Sequence, residues 1–517
     1  STLSPSSAAS DVYKRQIGTW AIKITSIRPT PLYPRVSAGE ELKQLVRLSI
    51  MSELDAQNCE LRILLPNNQN FSQRIDLVKK GEHIYNVLVP DITDVTNVTF
   101  NLLMDGEVAF SKTETWKPQK KWKVYYAAVS HQDLGFETYY QNIRRGVREG
   151  GLDLALQYCR ETDDWEDDAK FRWNVESSEP IIRWMNKRSS AEVEELKRRI
   201  EEGRIELGAI HNTISSQMAG YEVLARSFYT PNRYVVDRLG IAPAKVAVIN
   251  DVTGITRSWP LFSKEAEVPY LMHGSNAPNC LQDMYDEPVF YWLSPDGDSK
   301  NKILCRADSY YSENKLQKWD EAHMEKLITR NDKPEWAFDC ILAYDSHDFA
   351  LPTMENAVNI REWNKKYAYP RVICSVLSSF FDDVASQANK ANIIETDKDA
   401  PDSWDDQDAT DAELLSLARR TTGEVSTSEK FSSVVMALSK EFRYPTEEIF
   451  QAYNGLIMYH EHTNGAIHGG NHHYYEVEKE THRQLVDEAK ALSDSVMGVT
   501  MPQLNSLIKT CLLYTSD

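Results

Sequence analysis

Residues 124–136 read VYYAAVSHQDLGF, and the rest of the sequence is most easily interpreted outward from this stretch. Its apolar run, 124–129, is typical of a strand that is buried on both faces. Because alternate side chains of an extended chain point the same way, His131 and Asp133 are predicted to leave the strand end side by side. An imidazole and a carboxylate so placed can bind one divalent metal, although a hydrogen-bonded His–Asp pair fits the same pattern. A metal site therefore needs further ligands from elsewhere in the chain.

The composition indicates a soluble globular protein with a neutral substrate. With 517 residues the chain is long enough for about three domains, and 41% hydrophobic and 26% charged residues are ordinary values. The net charge of −19 argues against a nucleic-acid partner. Seven scattered cysteines without a C-x-x-C pair argue against a thiolate zinc site and suit a reducing, cytoplasmic location. No apolar run approaches the ~18 residues of a membrane span.

Both ends of the chain look foreign. DVYKRQ at 11–16 and CLLYTSD at 511–517 resemble translated sequencing-adapter read-through, and residues 1–16 have no apolar core of a signal peptide. We therefore expect 1–16 and 511–517 to be non-native. If so, the natural protein continues beyond both ends, and a secretion signal could have been lost.

Hydrophobic periodicity predicts three regions between these ends. Short alternating runs separated by turn residues over 17–118 predict a small β-sandwich. Strand–helix alternation over 119–395 predicts an α/β domain with a largely parallel sheet, open or closed into a barrel. An Asp-rich linker and helical periodicity over 396–510 predict a helical bundle. The predicted helices are 136–157, 191–203, 221–239, 412–420, 428–441, 446–459 and 475–494.

Two further strand ends carry carboxylates. Asp251 follows the apolar run VAVIN, and Asp345, His347 and Asp348 follow a run that ends at Tyr344. Because sites in α/β sheets form at the carboxyl ends of strands, these side chains are candidates for the same site as the first pair. An ordinary turn aspartate remains the alternative at each position.

A histidine-rich loop follows in the helical region. Residues 459–470 read YHEHTNGAIHGG and contain His460, Glu461 and His462. Histidine clustering is a standard metal signature, although it also arises by chance.

The order of these pieces resembles glycoside hydrolase family 38, the zinc-dependent α-mannosidases and their bacterial relatives. The resemblance is carried over 121–490 by HQDLGF, the strand before Glu176, EEGRIELG, VINDVTG, YDSHDF and HEHTNGA. It implies an irregular seven-stranded α/β barrel, a three-helix bundle and large C-terminal β domains, before which this chain would be truncated.

The resemblance also implies a set of site residues. The zinc ligands would be His131, Asp133, Asp251 and His460, the last chosen over His462 because Gly465 lies five residues beyond it. Asp251 would also be the nucleophile. The acid/base would be Asp348, with Asp345 as the alternative. The expected substrate contacts are Phe136, His347, Glu461 and His462.

These residue types suit retaining glycoside hydrolysis, which needs two carboxyl groups ~5–5.5 Å apart. Asp251 would form a glycosyl-enzyme, and Asp348 would protonate the leaving oxygen and then activate water. Zinc would bind two sugar hydroxyls, as the cis-diol of a mannoside offers. Phe136 stands where the family has Trp, and Thr253 where it has an aromatic residue, so the exact sugar stays open.

Two other functions fit parts of the sequence. A polysaccharide deacetylase also uses Asp and His ligands on an α/β barrel, but its H-x-x-x-H pair is absent from the α/β region. A catalytically inactive carbohydrate-binding relative is the second alternative, because Phe136 and Thr253 depart from the family. In each case the expected partner is a carbohydrate, with no nucleic acid or membrane, and a homo-oligomer is left open.

Overall fold

The computed structural model describes most of the chain in two compact units. The first unit comprises Ser1–Val124, Leu316–Ile341 and Asn359–Ile373, and the second comprises Tyr125–Lys315, Leu342–Val358 and Cys374–Asp517. Both suspected foreign ends and Phe136 lie outside the described residues. The residues that the structure describes are 22–36, 41–66, 69–134, 149–276, 288–298, 301–309, 315–316, 318–389, 391–404, 410–465 and 472–508.

The described part of the chain contains strands from Ile22 to Thr396. In chain order they are β1 (Ile22–Pro29), β2 (Tyr33–Pro34), β3 (Lys43–Ser52), β4 (Ala56–Leu64), β5 (Asn70–Val78), β6 (Gly81–Pro90), β7 (Thr96–Met104), β8 (Glu107–Trp116), β9 (Lys123–His131), β10 (Trp173–Val175), β11 (Ile205–Leu207), β12 (Val246–Asp251), β13 (Tyr270–Ser275), β14 (Val289–Leu293), β15 (Lys302–Ser309), β16 (Cys340–Asp348), β17 (Tyr367–Tyr369), β18 (Arg371–Cys374) and β19 (Glu395–Thr396).

Antiparallel strands build the first unit. One sheet has the order β1-β3-β6 and the other the order β5-β4-β7-β8. Val46 and Leu48 of the first sheet and Leu61 and Phe100 of the second belong to one buried core. A core shared by two sheets is what the predicted sandwich requires. The sandwich itself stays a prediction.

The second unit contains two sheets, and the one that includes β12 is mixed. One has the order β11-β10-β9-β16, with β18 also paired to β9, and the other has the order β12-β13-β15-β14-β19. Strands β12, β13 and β15 are mutually parallel, whereas β14 runs antiparallel to β15. The described strands thus form two five-stranded sheets. The single seven-stranded barrel stays a prediction.

Helices connect and cover these strands. They are α1 (Glu149–Glu161), α2 (Glu179–Asn186), α3 (Ser190–Glu201), α4 (Ser216–Ala219), α5 (Tyr221–Pro231), α6 (Asp237–Leu239), α7 (Trp259–Glu265), α8 (Glu321–Asn331), α9 (Glu355–Lys366), α10 (Leu377–Ser386), α11 (Ala412–Leu438), α12 (Thr446–Tyr459) and α13 (His472–Leu507). A π-helical turn, Asn232–Val236, joins α5 to α6. Helix α3 begins at a capping box, in which Ser189 and Glu192 satisfy each other's backbone N–H. None of the helices in the described part of the chain is long and apolar enough to span a membrane.

Helices α11, α12 and α13 belong to the second unit, together with the strands of the mixed sheet. The prediction of two helices over 412–441 was wrong, because α11 is continuous through Gly423 and its Ser/Thr-rich neighbours. Those polar residues hid the apolar periodicity, yet two of the serines contact α13. Ser428 Oγ lies 3.2 Å from Ser493 Oγ, and Ser432 Oγ lies 3.0 Å from Thr500 Oγ1. The boundaries at 118/119 and 395/396 stay predictions.

Candidate metal and catalytic site

Two strand ends and the residues after them supply three of the candidate ligands. His131 is the last residue of β9, Asp133 follows two residues later, and Asp251 is the last residue of β12. All three side chains are buried. Asp251 has a positive φ of 68°, and the N–H of Val252 donates to the carbonyl of Asn250 at 2.8 Å. This tight turn is rare for a residue with a side chain and is the kind of local strain that functional sites retain.

A second imidazole, that of His462, completes a buried cluster with these residues. One ligand atom from each of His131, Asp133, Asp251 and His462 lies within 4.8 Å of all the others. His131 Nε2 lies 2.9 Å from Asp133 Oδ1 and 4.0 Å from Asp251 Oδ2. His462 Nε2 lies 3.3 Å and 3.4 Å from the same two oxygens, and the two Nε2 atoms are 3.2 Å apart. Four donor atoms therefore face one common point.

The expectation that His460 joins this cluster was wrong. His460 caps the end of α12, where its N–H still bonds to the carbonyl of Leu456. Its buried ring packs beside Tyr459, and neither ring nitrogen has a hydrogen-bond partner among the described residues. Burial lowers the pKa of His460 to about 3, which keeps the ring neutral. The helical turn thus holds this ring away from the cluster.

Backbone pairing selects His462 instead. The N–H of His462 donates to the carbonyl of Thr213 at 3.3 Å, and the N–H of Ser215 donates to the carbonyl of His460 at 3.0 Å. Ile214 and Glu461 form an isolated antiparallel bridge between these two bonds. This short pairing fixes the register in which the loop presents its side chains.

Each imidazole of the cluster contacts a glutamate through its other nitrogen. Glu176 Oε1 lies 2.8 Å from His131 Nδ1, and Glu461 Oε1 lies 2.7 Å from His462 Nδ1. Glu461 is fully buried and also accepts bonds from the N–H and the hydroxyl of Thr463. His462 thus faces the cluster and Glu461 lies behind it, and the expected role of both residues as sugar contacts stays a prediction.

The four side chains of the cluster shift one another's pKa values. Burial raises the pKa of Asp133 and of Asp251, but the imidazoles of His131 and His462 outweigh it, so both carboxyl pKa values are lowered. Burial lowers the pKa of each imidazole, but Glu176 and Asp133 for His131, and Glu461 and both aspartates for His462, raise it overall. The anionic side chains are thus held ionised around the two rings.

Asn276 was not identified from the sequence. It follows β13, and its Nδ2 donates to Asp251 Oδ1 at 2.8 Å, while its backbone N–H donates to the carbonyl of Asp251 at 3.1 Å. A polar residue directly after a buried strand was the signal that could have found it. Thr253 is engaged elsewhere, because its hydroxyl bonds to Asp402 and accepts the N–H of Ser403.

The two candidate acids at the end of β16 lie in different surroundings. Asp345 accepts a bond from the Tyr126 hydroxyl, and its other oxygen lies 2.8 Å from Nε2 of the exposed His347. Burial raises the pKa of Asp345, but His347 and Tyr126 outweigh it and lower the pKa. Asp348 is exposed, and the N–H of the next residue, Phe349, donates to the carbonyl of His131 at 2.8 Å. Asp348 is therefore the solvent-accessible carboxyl beside the end of β9.

Two small cavities adjoin this strand end and share Trp173 and Ala350. One, of about 30 Å³, is lined in part by Gln132 and Glu176. The other, of about 70 Å³, is lined in part by the Asp345–His347 pair.

Comparison with known families gives these features a context. Residues 121–407, more than half of the chain, match the family model described as "Glycosyl hydrolases family 38 N-terminal domain". The chain belongs to glycosyl hydrolase family 38. The resemblance stated from the sequence motifs is thereby confirmed. A search of curated proteins gave no match.

Solved structures of family 38 proteins share the fold. An alpha-mannosidase from Enterococcus faecalis V583 is 14% identical with a TM-score of 0.59, over 75% of this chain and 43% of that one. A second family 38 protein from Enterococcus faecalis is 13% identical with a TM-score of 0.54, over 75% of this chain and 40% of that one. The chain thus spans about two fifths of the length of these family 38 structures.

Proposed function

We propose that this family 38 chain carries the metal centre and the nucleophile of a retaining glycoside hydrolase that acts on α-mannosides or related α-glycosides. The observation that carries the proposal is the buried cluster of His131, Asp133, Asp251 and His462. The nucleophile, Asp251, is itself a member of this cluster. The substrate would therefore bind where the metal and the attacking carboxylate meet.

The donor set fits Zn²⁺. Bonds of ~2.0–2.2 Å to imidazole nitrogen and carboxylate oxygen would place donors of one Zn²⁺ roughly 3–4 Å from each other. The five distances given above among these four donors lie between 2.9 and 4.0 Å. Asp133 Oδ1 supports the same fit, because it is buried and makes no hydrogen bond of acceptable geometry among the described residues. A bound Zn²⁺ would satisfy this oxygen and hold two sugar hydroxyls as a Lewis acid.

The chain's own residues would perform the two displacement steps. A carboxylate oxygen of Asp251 attacks the anomeric carbon while the glycosidic C–O bond breaks, and Asp348 gives its proton to the leaving oxygen. Asp348 then takes a proton from water, whose oxygen attacks the anomeric carbon and releases Asp251. Asn276 holds Asp251 in place for both steps through its bond to Oδ1. Asp348 is preferred to Asp345 because its side chain is exposed and can exchange a proton with water, whereas that of Asp345 is largely buried.

Metal content in a matched pair of variants tests the centre. His460 and His462 are both buried in one loop, and only His462 faces the cluster. We expect about one zinc per chain in the wild type and in His460→Ala, and none in His462→Ala. Zinc that is lost from His460→Ala but kept by His462→Ala would contradict this ligand set.

Turnover of aryl α-mannosides tests the catalytic roles. We expect Asp348→Asn to keep its zinc and to lose about 10²–10⁴-fold in rate on a substrate with a poor leaving group. The loss should be much smaller on a dinitrophenyl glycoside, whose leaving oxygen needs no proton. Asp345→Asn is the control and should not show this leaving-group dependence. A zinc-loaded wild type without any glycosidase activity would favour the carbohydrate-binding alternative instead.

A further inference from the structure

We infer that Glu176 and Glu461 are positioning residues of the metal centre, each fixing one imidazole ligand through Nδ1. The inference rests on the proposed function, because it concerns the same centre. It assigns a role to two buried carboxylates that contact the ligands without belonging to the four-donor cluster.

The Glu176 contact is held by the sheet. Glu176 directly follows β10, in which Asn174 pairs in parallel with Val129 of β9. Strands β9 and β10 thus end side by side, and Glu176 Oε1 lies 2.8 Å from His131 Nδ1. Gly208 passes so close that a Cβ there would lie 2.0 Å from the carbonyl oxygen of Glu176. The backbone of Glu176 is therefore confined at the point from which its side chain reaches the imidazole.

The Glu461 contact is held by a separate set of bonds. Its Oε2 accepts the N–H of Thr463 at 3.0 Å and the hydroxyl of Thr463 at 2.5 Å. Its Oε1 accepts the N–H of Leu134 at 3.4 Å and lies 2.7 Å from His462 Nδ1, an ion-pair contact without the angle of a hydrogen bond. Both oxygens are thus anchored, and the anchoring residue Leu134 directly follows the ligand Asp133. Glu461 thereby links the segment that carries Asp133 to the loop that carries His462.

Acid–base chemistry gives these contacts a consequence. An ionised carboxylate can only accept hydrogen bonds, so a ring nitrogen beside it carries the proton. With the proton on Nδ1, the lone pair of Nε2 is free for a metal, and both Nε2 atoms of the cluster point at one place. Such outer carboxylates also raise the basicity of the ligand. A centre with two aspartates and two glutamates around one divalent ion has an excess of negative charge, which favours retention of the cation.

Replacement of Glu176 separates its two contributions. In Glu176→Gln the side-chain oxygen can still accept the Nδ1 proton, so only the charge is lost. In Glu176→Ala both the charge and the orientation are lost. We expect zinc affinity, measured by competition with a chromophoric chelator, to fall about 10–100-fold in Glu176→Ala and by less in Glu176→Gln. Glu461→Ala should weaken zinc binding to at least the same extent.

The matched control is Glu206→Gln. Glu206 lies in β11 of the same unit, where its carboxylate accepts the N–H of Ser378, and no imidazole in the described part of the chain is hydrogen-bonded to it. We expect its zinc affinity to stay within twofold of the wild-type value. The absorption spectrum of the cobalt-substituted protein is the second readout, because a merely structural role of Glu176 would not change the ligand field. An altered visible spectrum is expected in Glu176→Ala and an unaltered one in Glu206→Gln.

The outcomes separate the inference from the proposed function. A wild type that binds no zinc overturns the proposed centre. A wild type that binds zinc, together with Glu176→Ala and Glu461→Ala variants of unchanged affinity, overturns only the roles of the glutamates. If the alanine variants do not fold, ¹⁵N spectra of the zinc-loaded wild type decide the matter. Two zinc-bound histidines with the proton on Nδ1 support the inference, and zinc bound through Nδ1 contradicts it.

Discussion

His273 should make the second unit sensitive to acid. Its ring is buried at the middle of β13, and its Nε2 lies 3.0 Å from the carbonyl oxygen of Val252. Burial lowers the pKa of His273 from its ordinary 6.5 to about 4, and the bond to Val252 opposes this shift only in part. In the folded protein the ring of His273 therefore stays neutral over a pH range in which the unfolded chain binds a proton there.

The sign and size of the effect follow from this difference. Above pH 6.5 neither state binds the proton, and the stability is fully present. As the pH falls from 6.5 towards 4, the unfolded chain gains a proton that the folded protein lacks, so stability is lost. Between pH 7 and pH 5 the loss from this single group is about 2 kcal/mol, at about 1.4 kcal/mol per pKa unit.

The assay compares the wild type with His273→Gln, whose amide can still donate to Val252. Urea unfolding, followed by near-ultraviolet circular dichroism, is measured for both proteins at pH 7 and pH 5. Other titrating groups contribute equally to both proteins and cancel in the difference. We expect the destabilisation caused by the substitution to shrink by about 2 kcal/mol at pH 5. An equal destabilisation at both pH values would refute the reasoning, because it would mean that His273 titrates normally in the fold.

Three further substitutions have defined outcomes. Asn276→Ala removes the hydrogen bond to Asp251, and a bond to a charged group contributes about 1.5–3 kcal/mol. The variant should therefore have a kcat on an aryl α-mannoside about 10–100-fold lower than the wild type. An unchanged kcat would exclude this orienting role. Gly254→Ala would put a Cβ 2.2 Å from the carbonyl oxygen of Pro401, so thermal unfolding should show a loss of at least about 3 kcal/mol. Gly423→Ala is its opposite, because nothing lies within 4 Å of the added Cβ in the middle of α11, and a gain of about 0.5–1 kcal/mol is expected in the same scan. Equal melting temperatures for the two alanine variants would contradict the argument that the space around each added Cβ decides the change in stability.

Three of the four cluster residues could be placed from the sequence because a short apolar run defines where a buried strand ends. His131, Asp133 and Asp251 follow such runs directly, and the alternation of an extended chain puts the first two on the same side. Glu176 and Asn276 obey the same rule, after β10 and β13. Their contacts with the cluster were not predicted, because the rule finds polar residues at strand ends but does not say which of these residues lie close together.

The fourth residue could not be chosen from local pattern. His460 and His462 differ only in register, and the spacing to Gly465 favoured the wrong one. The choice depends on the pairing of the loop with 213–215, more than two hundred residues earlier in the chain, and on the extent of α12. The continuous helix α11 was missed for a related reason, since its serines and threonines contact α13 and not an apolar core.

The cluster joins parts of the chain that are synthesised far apart. His131 and His462 are separated by 331 positions, and the second imidazole follows the end of α12. The ribosome therefore synthesises all the described strands before His462. The proposed metal could be held by all four donors only after that loop has docked. Metal loading would then be a late event in biogenesis, and metal content would report how many chains in a preparation have reached the complete fold.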